Sequence, residues 1–346
     1  MNKVVVEIDK VKNPFSGLGQ YCINLGKELI ARQPQNIELE FALTRNVEHP
    51  FTDFGNFHLI KPIHRYFGHR PGDKTVWHAT HQDSPYLPEK GTKLVLTIHD
   101  LNFLEKYTNS LRHKWRLRLI QKKIDRASVI TTISEFSANH IRENLNTRGL
   151  PLHVIYNGCI LPTGPPTTPM QPVKGNFLFT IGIIQPRKNL EALVPLMKIL
   201  PDFKLVIAGS AQPKHGEFLK NMVDQLGLHN RIIFTGPITE SEKWWYYNHC
   251  RALVFPSRSE GFGLPVIEAM HCGKPAFLST YTCLPEIGGN NAYYWDNFEP
   301  ESMKQVLLDG LSNWTPLREQ AAKRWAADFS WEKAANQYWD IYKDLL

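Results

Sequence analysis

The sequence predicts an α/β protein of two doubly wound parallel sheets, and three observations carry that expectation. Short continuous apolar runs alternate with amphipathic helical stretches, this alternation occurs twice, and a proline-rich segment separates the two series. Strands covered by helices on both faces read as unbroken apolar runs, whereas half-exposed strands alternate. The 346 residues exceed one ordinary core and suit two domains of roughly 150 residues each.

The first strand is Val4–Asp9 (VVVEID), followed by a helix near Gly19–Arg32. Further strands are expected at Val76–Ala79, Leu94–His99, Val129–Ser134 and His153–Asn157, with helices near Leu111–Arg126 and Glu135–Asn146. Leu161–Gly175 then breaks the pattern: Pro162, Pro165, Pro166, Pro169 and Pro172 fit neither helix interiors nor central strands. The strand pattern restarts with Phe177–Gly182, Lys204–Gly209, Ile232–Gly236, Ala252–Ser257 and Pro275–Ser279. The tail carries Trp331, Tyr338, Trp339, Ile341 and Tyr342 on an amphipathic helix that must dock on something. The expected organisation is a domain at 1–161, a linker at 162–175, a second domain at 176–328, and a terminal helix at 329–346 returning to the first domain. Ligands of doubly wound sheets sit beyond the carboxyl ends of the strands. The functional residues should therefore follow the strands, facing a cleft between the domains.

Composition narrows the class. Hydrophobic residues make up 42% and charged residues 21%, ordinary for a globular chain. No apolar run reaches the roughly 18 residues of a membrane span. The opening MNKVVVEIDK brings Glu7 and Asp9 too early for a signal peptide. Five cysteines without a C-x-x-C pair argue against a zinc site or disulfide framework, so a reducing, cytoplasmic compartment is expected. The net charge of +7 lies wholly in residues 1–160, which hold 22 Lys/Arg against 15 Asp/Glu, while residues 161–346 hold 18 of each. A one-sided basic domain points to an anionic partner such as a membrane surface, a lipid-linked phosphate or nucleic acid. Helix-turn-helix, zinc-finger and RNA-binding signatures are lacking, so nucleic acid is not the expected partner.

The strongest motif runs from Glu260 to Pro275, EGFGLPVIEAMHCGKP. Gly261 and Gly263 allow a tight loop after an apolar strand, Pro265 suits a first helical turn, and Gly273 suits its stop. A helix start offers free N–H groups and a positive dipole end to a phosphate. Glu260 and Glu268, eight residues apart, flank that start and can accept hydrogen bonds from sugar hydroxyls. A second motif, Gly182-Ile-Ile-Gln-Pro-Arg187-Lys188-Asn189, also follows a strand. Two adjacent cations there can clamp a diphosphate, and Asn189 can cap the next helix. Taken alone, the basic turn is equally well a solvated surface feature.

Together these motifs resemble glycosyltransferase family 4, whose members have the GT-B fold of two Rossmann-like domains facing a cleft and retain anomeric configuration. The likeness extends over most of the chain, including Gly17-Leu18-Gly19, Thr97-Ile98-His99-Asp100 and Ile133-Ser134-Glu135. By that resemblance Arg187 and Lys188 neutralise the leaving diphosphate, Glu260 binds donor-sugar hydroxyls and Glu268 the ribose. The backbone N–H groups of Phe262, Gly263 and Leu264 line the sugar and phosphate pocket. The Gly17–Gly19 loop closes over the donor phosphates, and His99 stands beside the transferring sugar. Read without the family, Gly17-x-Gly19 is equally a plain turn or half of a dinucleotide fingerprint, whose third position is here Cys22. Asp100 orients His99, binds acceptor, or caps a turn. His78 and His81 line the acceptor side or serve structure.

The resemblance implies a retaining hexosyltransferase, with mannose the favoured sugar, moving a sugar from a nucleotide diphosphate donor to a saccharide or lipid-linked acceptor in cell-surface polysaccharide synthesis. The alternatives are a sugar-nucleotide hydrolase or epimerase of the same fold, or a non-catalytic basic nucleotide- or nucleic-acid-binding protein. GDP-mannose is the favoured donor, with UDP-hexoses next and base selection near Gly236-Pro237-Ile238. With no D-x-D pair, and with Arg187 and Lys188 to carry the charge, no cofactor and no divalent metal are expected. Leu111–Ala127 places Leu111, Trp115 and Leu119 at fourfold spacing among Arg112, Lys114, Arg116, Arg118, Lys122 and Lys123. It is either a helix lying on the inner face of the cell membrane or a core-packed helix with a solvated basic side.

Overall fold

The computed structural model describes residues 2–14, 16–44, 49–51, 53–61, 63, 68, 72, 74–105, 111–170 and 172–346; Gln171 of the proline-rich connector lies outside them. The chain divides into two compact units, Met1–Ile160 with Ser330–Leu346, and Leu161–Phe329.

In the first unit, strands β1 (Asn2–Glu7), β2 (Ile37–Thr44), β3 (Phe57–Ile60), β4 (Thr75–Ala79), β5 (Lys93–Thr97), β6 (Val129–Thr132) and β7 (Leu152–Val154) form one sheet. Its order is β3-β2-β1-β4-β5-β6-β7 and every neighbouring pair is parallel. Helices α1 (Gly17–Ala31), α2 (Leu111–Ile124) and α3 (Glu135–Asn144) provide crossovers. On one face Val5, Trp77, Leu94 and Leu96 pack with Ile120, Ile124 and Ile141. Two strands escaped the sequence reading for a physical reason. In β2, Glu38 and Glu40 interrupt the apolar run because one side of the strand is only partly covered, and both pair with Lys3 of β1, at 3.6 and 2.5 Å. β3 is a short edge strand of four residues. The strand expected at His153–Asn157 is shorter and earlier, since β7 is an edge with only β6 to pair.

The second unit repeats the plan. Its strands are β8 (Phe177–Ile181), β9 (Lys204–Ala208), β10 (Ile232–Gly236), β11 (Ala252–Phe255), β12 (Ala276–Ser279) and β13 (Tyr293–Trp295), in the parallel order β10-β9-β8-β11-β12-β13. Helices α4 (Leu193–Lys198), α5 (Pro213–Gln225), α6 (Glu240–His249), α7 (Leu264–His271), α8 (Leu284–Gly288), α9 (Pro300–Ser312) and α10 (Pro316–Ala327) surround it. Among the described residues of the connector there is neither helix nor strand, and Thr167 is tied to Ser241 Oγ at 2.8 Å, beside the start of α6. In both sheets the strand order reverses at one point, between β1 and β4 and between β8 and β11. Crevices at such points are where doubly wound sheets hold ligands.

The terminal helix α11 (Trp331–Leu345) packs on α1 within the first unit. Trp331, Tyr338, Trp339, Ile341 and Tyr342 are all buried. Burying tyrosine and tryptophan requires partners for their polar ends, and the sheet supplies them. His78 of β4 bonds Tyr342 OH at 2.6 Å through Nδ1 and Thr97 Oγ1 at 2.7 Å through Nε2. Tyr338 OH meets Tyr21 OH at 2.7 Å, and Trp339 Nε1 donates to the Leu29 carbonyl at 3.3 Å. Burial pushes the His78 pKa down to about 3, so the ring is a neutral strut. Gly158 lets the chain pass the helix start, because a Cβ there would lie 2.0 Å from Trp331 N.

Candidate active site

At the reversal point of the second sheet, three loops meet. β8 is followed by Gly182, whose φ of 142° suits glycine, and the chain turns through Pro186–Lys188, a single 3₁₀ turn bearing both cations. β11 leads to Glu260, and Gly263, with φ 109°, starts α7 with Pro265 in its first turn. β12 leads to Thr282. Lys188 Nζ bonds Glu260 Oε1 at 2.5 Å and stands 4.7 Å above the Phe255 ring. Arg187 Nη1 donates to the Ser259 carbonyl at 2.7 Å and lies 3.5 Å from Glu260 Oε2. Lys188 and Glu260 side chains are 11% and 9% exposed while Arg187 is 42% exposed, so one cation is set in the floor and the other faces solvent.

The floor is cross-tied. Ser257 Oγ donates to the Arg187 carbonyl at 3.1 Å, Ser279 Oγ donates to the Ser257 carbonyl, and Glu260 N donates to Thr282 Oγ1 at 3.2 Å. Cys283 Sγ donates to the carbonyls of Glu260 and Phe262. Loops locked in this way keep charged groups where they are needed without reorganisation during a reaction. Glu268, in the middle of α7, is not part of this cluster. Its oxygens take Lys243 Nζ at 2.6 Å and Tyr247 OH at 2.7 Å, both from α6. Burial opposes charge on Lys243, but Glu268 and Glu240 outweigh it and raise its pKa. Asn189 does not cap the following helix as expected. It adopts a left-handed conformation, φ 51°, and its buried amide finds no partner among the described residues.

In the first unit, the Gly17–Gly19 segment is the first turn of α1 and not an open loop. Ser16 caps it through Gly19 N at 3.0 Å, and a Cβ on Gly19 would lie 2.1 Å from the Asn13 carbonyl, which is why only glycine fits there. His99 follows β5 and is buried. Its Nε2 donates to the Thr80 carbonyl at 2.8 Å, and Tyr21 packs edge-on at 4.6 Å. Burial lowers its pKa, so the ring is neutral with Nδ1 as the acceptor. Asp100 Oδ1 accepts from Asn102 N at 3.1 Å, the turn-capping arrangement, and makes no bond to the His99 ring. His81 Nδ1 accepts from Asp83 N at 2.9 Å. Glu7 ends β1 at the reversal point, and burial pushes its pKa up to about 7.

Residues 15–161 match the profile of Glycosyltransferase Family 4, and residues 169–326 match that of Glycosyl transferases group 1. The chain belongs to glycosyltransferase family 4. It is 24% identical over 384 aligned residues to O-antigen chain mannosyltransferase B of Escherichia coli, covering 99% of this chain and 100% of that protein. Among solved structures it superposes on sucrose-phosphate synthase of Thermosynechococcus elongatus with TM-score 0.77 at 17% identity, over 100% of this chain and 99% of that one. It superposes on Anabaena HepE in complex with UDP-glucose with TM-score 0.74 at 16% identity, over 99% and 100%. These likenesses establish the GT-B fold class.

For this glycosyltransferase the reading of motifs located the cations and glutamates but missed their supports. Lys243 and Tyr247 lie four apart on α6, a spacing that places them on one face and was legible. Ser257, Thr282 and Cys283 gave no signal, because their roles depend on contacts between loops 20 or more residues apart.

Proposed function

We propose that the chain is a retaining hexosyltransferase that moves a mannosyl unit from a nucleotide diphosphate donor, GDP-mannose by preference, to a saccharide or lipid-linked acceptor in cell-surface polysaccharide synthesis. The observation that carries this reading is the Arg187, Lys188 and Glu260 cluster beside the α7 start, at the reversal point of its sheet. Departure of the diphosphate concentrates negative charge, and Arg187, Lys188 and the N–H groups of Gly263 and Leu264 stabilise it. Glu260 accepts from donor-sugar hydroxyls, and Glu268, steadied by Lys243 and Tyr247, from the ribose. His99 offers Nδ1 to a hydroxyl of the transferring sugar, and the half-buried Asp100 offers its carboxylate to the acceptor. Retention follows a front-face course: the C1–O bond to the diphosphate breaks, the acceptor oxygen bonds C1 on the same face, and its proton passes to the departing phosphate oxygen. The mannosyl assignment draws on the mannosyltransferase from Escherichia coli.

Two measurements test this. In a thermal-shift panel of nucleoside diphosphates, one base is expected to stabilise strongly, by about 2.7 kcal/mol at 100 times its dissociation constant. No shift with any of them would overturn the donor site. Because two fixed cations carry the diphosphate charge, turnover is expected to persist in EDTA; its complete loss, restored by Mg²⁺, would overturn metal independence.

We infer also that α2 rests on an anionic membrane surface. Leu111, Trp115 and Leu119 are 86%, 61% and 37% exposed, and the core side of the helix is formed instead by Ile120 and Ile124. An outward apolar stripe flanked by arginines and lysines matches the chemistry of an anionic bilayer, which lies on the inner face of a bacterial membrane. The chain is expected to sediment with phosphatidylglycerol vesicles at low salt, and Trp115→Ala to weaken this. No sedimentation at low salt would remove the membrane reading.

A further inference from the structure

Along the carboxyl edge of the second sheet, β8, β11 and β12 are consecutive neighbours. The cations follow β8, Glu260 follows β11, and Tyr281 follows β12. Neighbouring strands lie about 4.8 Å apart, a step comparable to one pyranose ring. On the transferase reading above, which this inference takes as its basis, the diphosphate occupies the first station and the donor sugar the second. The third station is a different surface.

Tyr281 is 47% exposed there and stacks on Phe298, with ring centroids 6.1 Å apart and planes 14° from parallel. Its hydroxyl has no partner among the described residues. Arg258 stands over the same Phe298 ring at 5.6 Å, exposed and with no carboxylate partner among the described residues. A lone exposed aromatic needs no explanation, but this one is held in place at a cost. The next residue, Thr282, is β-branched and sits at φ 55°, a left-handed conformation that such residues rarely adopt. Its hydroxyl accepts from Glu260 N at 3.2 Å, and Tyr281 N donates to Ser279 Oγ at 3.4 Å. Strain that persists only because neighbours hold it concentrates at ligand sites. The same turn therefore fixes Glu260 and presents Tyr281.

We propose that Tyr281, backed by Phe298 and flanked by Arg258, is a saccharide-binding platform that stacks a pyranose ring of the acceptor next to the donor sugar. The apolar C–H face of a pyranose lies on the aromatic ring, and the guanidinium supplies fixed N–H donors to hydroxyls at the ring's rim. An acceptor of several sugars gains this contact and a single sugar does not.

The test uses the full chain, its preferred donor from the thermal-shift panel, and mannose, mannobiose and mannotriose as acceptors. Tyr281→Ala is expected to raise the mannotriose KM about tenfold, the scale of one aromatic stacking contact. Nucleoside diphosphate affinity should stay within about twofold of wild type, and Tyr281→Phe should keep a near-normal KM. An unchanged mannotriose KM in Tyr281→Ala would overturn the platform while leaving the transferase reading intact. Equal weakening of nucleoside diphosphate binding would overturn it too, assigning the ring to the donor base. A wild-type protein that binds no nucleoside diphosphate and transfers nothing would overturn the transferase reading and the platform with it.

Discussion

Lys188→Ala is expected to lower kcat by about 10²–10³-fold, the usual cost of removing one fixed donor from a developing oxyanion. Lys188 is the inner of the two cations, 11% exposed and held between Glu260 and the Phe255 ring, so solvent cannot easily replace its charge. Arg187, 3.5 Å from Glu260, is expected to keep that carboxylate paired in the variant, so the fold should persist. Glu260→Ala is expected to fall similarly, because it removes both the sugar contact and the group that positions Lys188. The check is kcat at saturating donor beside circular dichroism of each variant. Folded variants with near-normal turnover would sink the assignment of this cluster. Lys188→Arg should not rescue, since a planar guanidinium cannot occupy the place of a compact ammonium over the ring.

Trp339→Ala should produce the largest change in stability, about 3–5 kcal/mol, the range for emptying a buried tryptophan site. The side chain is 2% exposed, and its Nε1 satisfies the Leu29 carbonyl of α1. Truncation leaves a cavity and an unpaired carbonyl together, and each carries a penalty. Because α11 belongs to the first unit, hydrogen exchange should accelerate by roughly 10²–10³-fold or more in β1, β4 and β5 while the strands of the second unit keep their protection. Equal acceleration in both units, or none in either, would contradict the anchoring role of the terminal helix. Two units with separate cores also make a single unfolding midpoint an unsafe readout, which is why the exchange is followed by peptide.

How much of this was legible beforehand depended on the range of the interaction. The buried strands Val4–Asp9, Leu94–His99, Phe177–Gly182 and Ala252–Ser257 announced themselves because complete burial demands continuous apolar residues. The half-covered β2 and the short β13 carried no such signal. The turn chemistry of Gly263 and Pro265 was equally local, since φ above zero and a first helical turn restrict the residues allowed. Asn189 shows the limit of that reasoning: a good capping residue by type, it is used for its tolerance of a left-handed backbone.

The sequence by itself determined two parallel α/β domains, their order, the strand ends that bear charge, and the family to which these motifs belong. Those properties rest on periodicity and on residues within one turn of each other. Only the tertiary structure decided that Lys188 pairs with Glu260 and Glu268 with Lys243 and Tyr247. It also decided that the Leu111, Trp115 and Leu119 stripe faces outward and that Tyr281 stands beyond Glu260 on a strained turn. Each of these joins residues that chain spacing leaves independent, or turns a helix about its axis. Such choices are made by packing and by the pairing of buried polar groups, which a one-dimensional pattern does not contain.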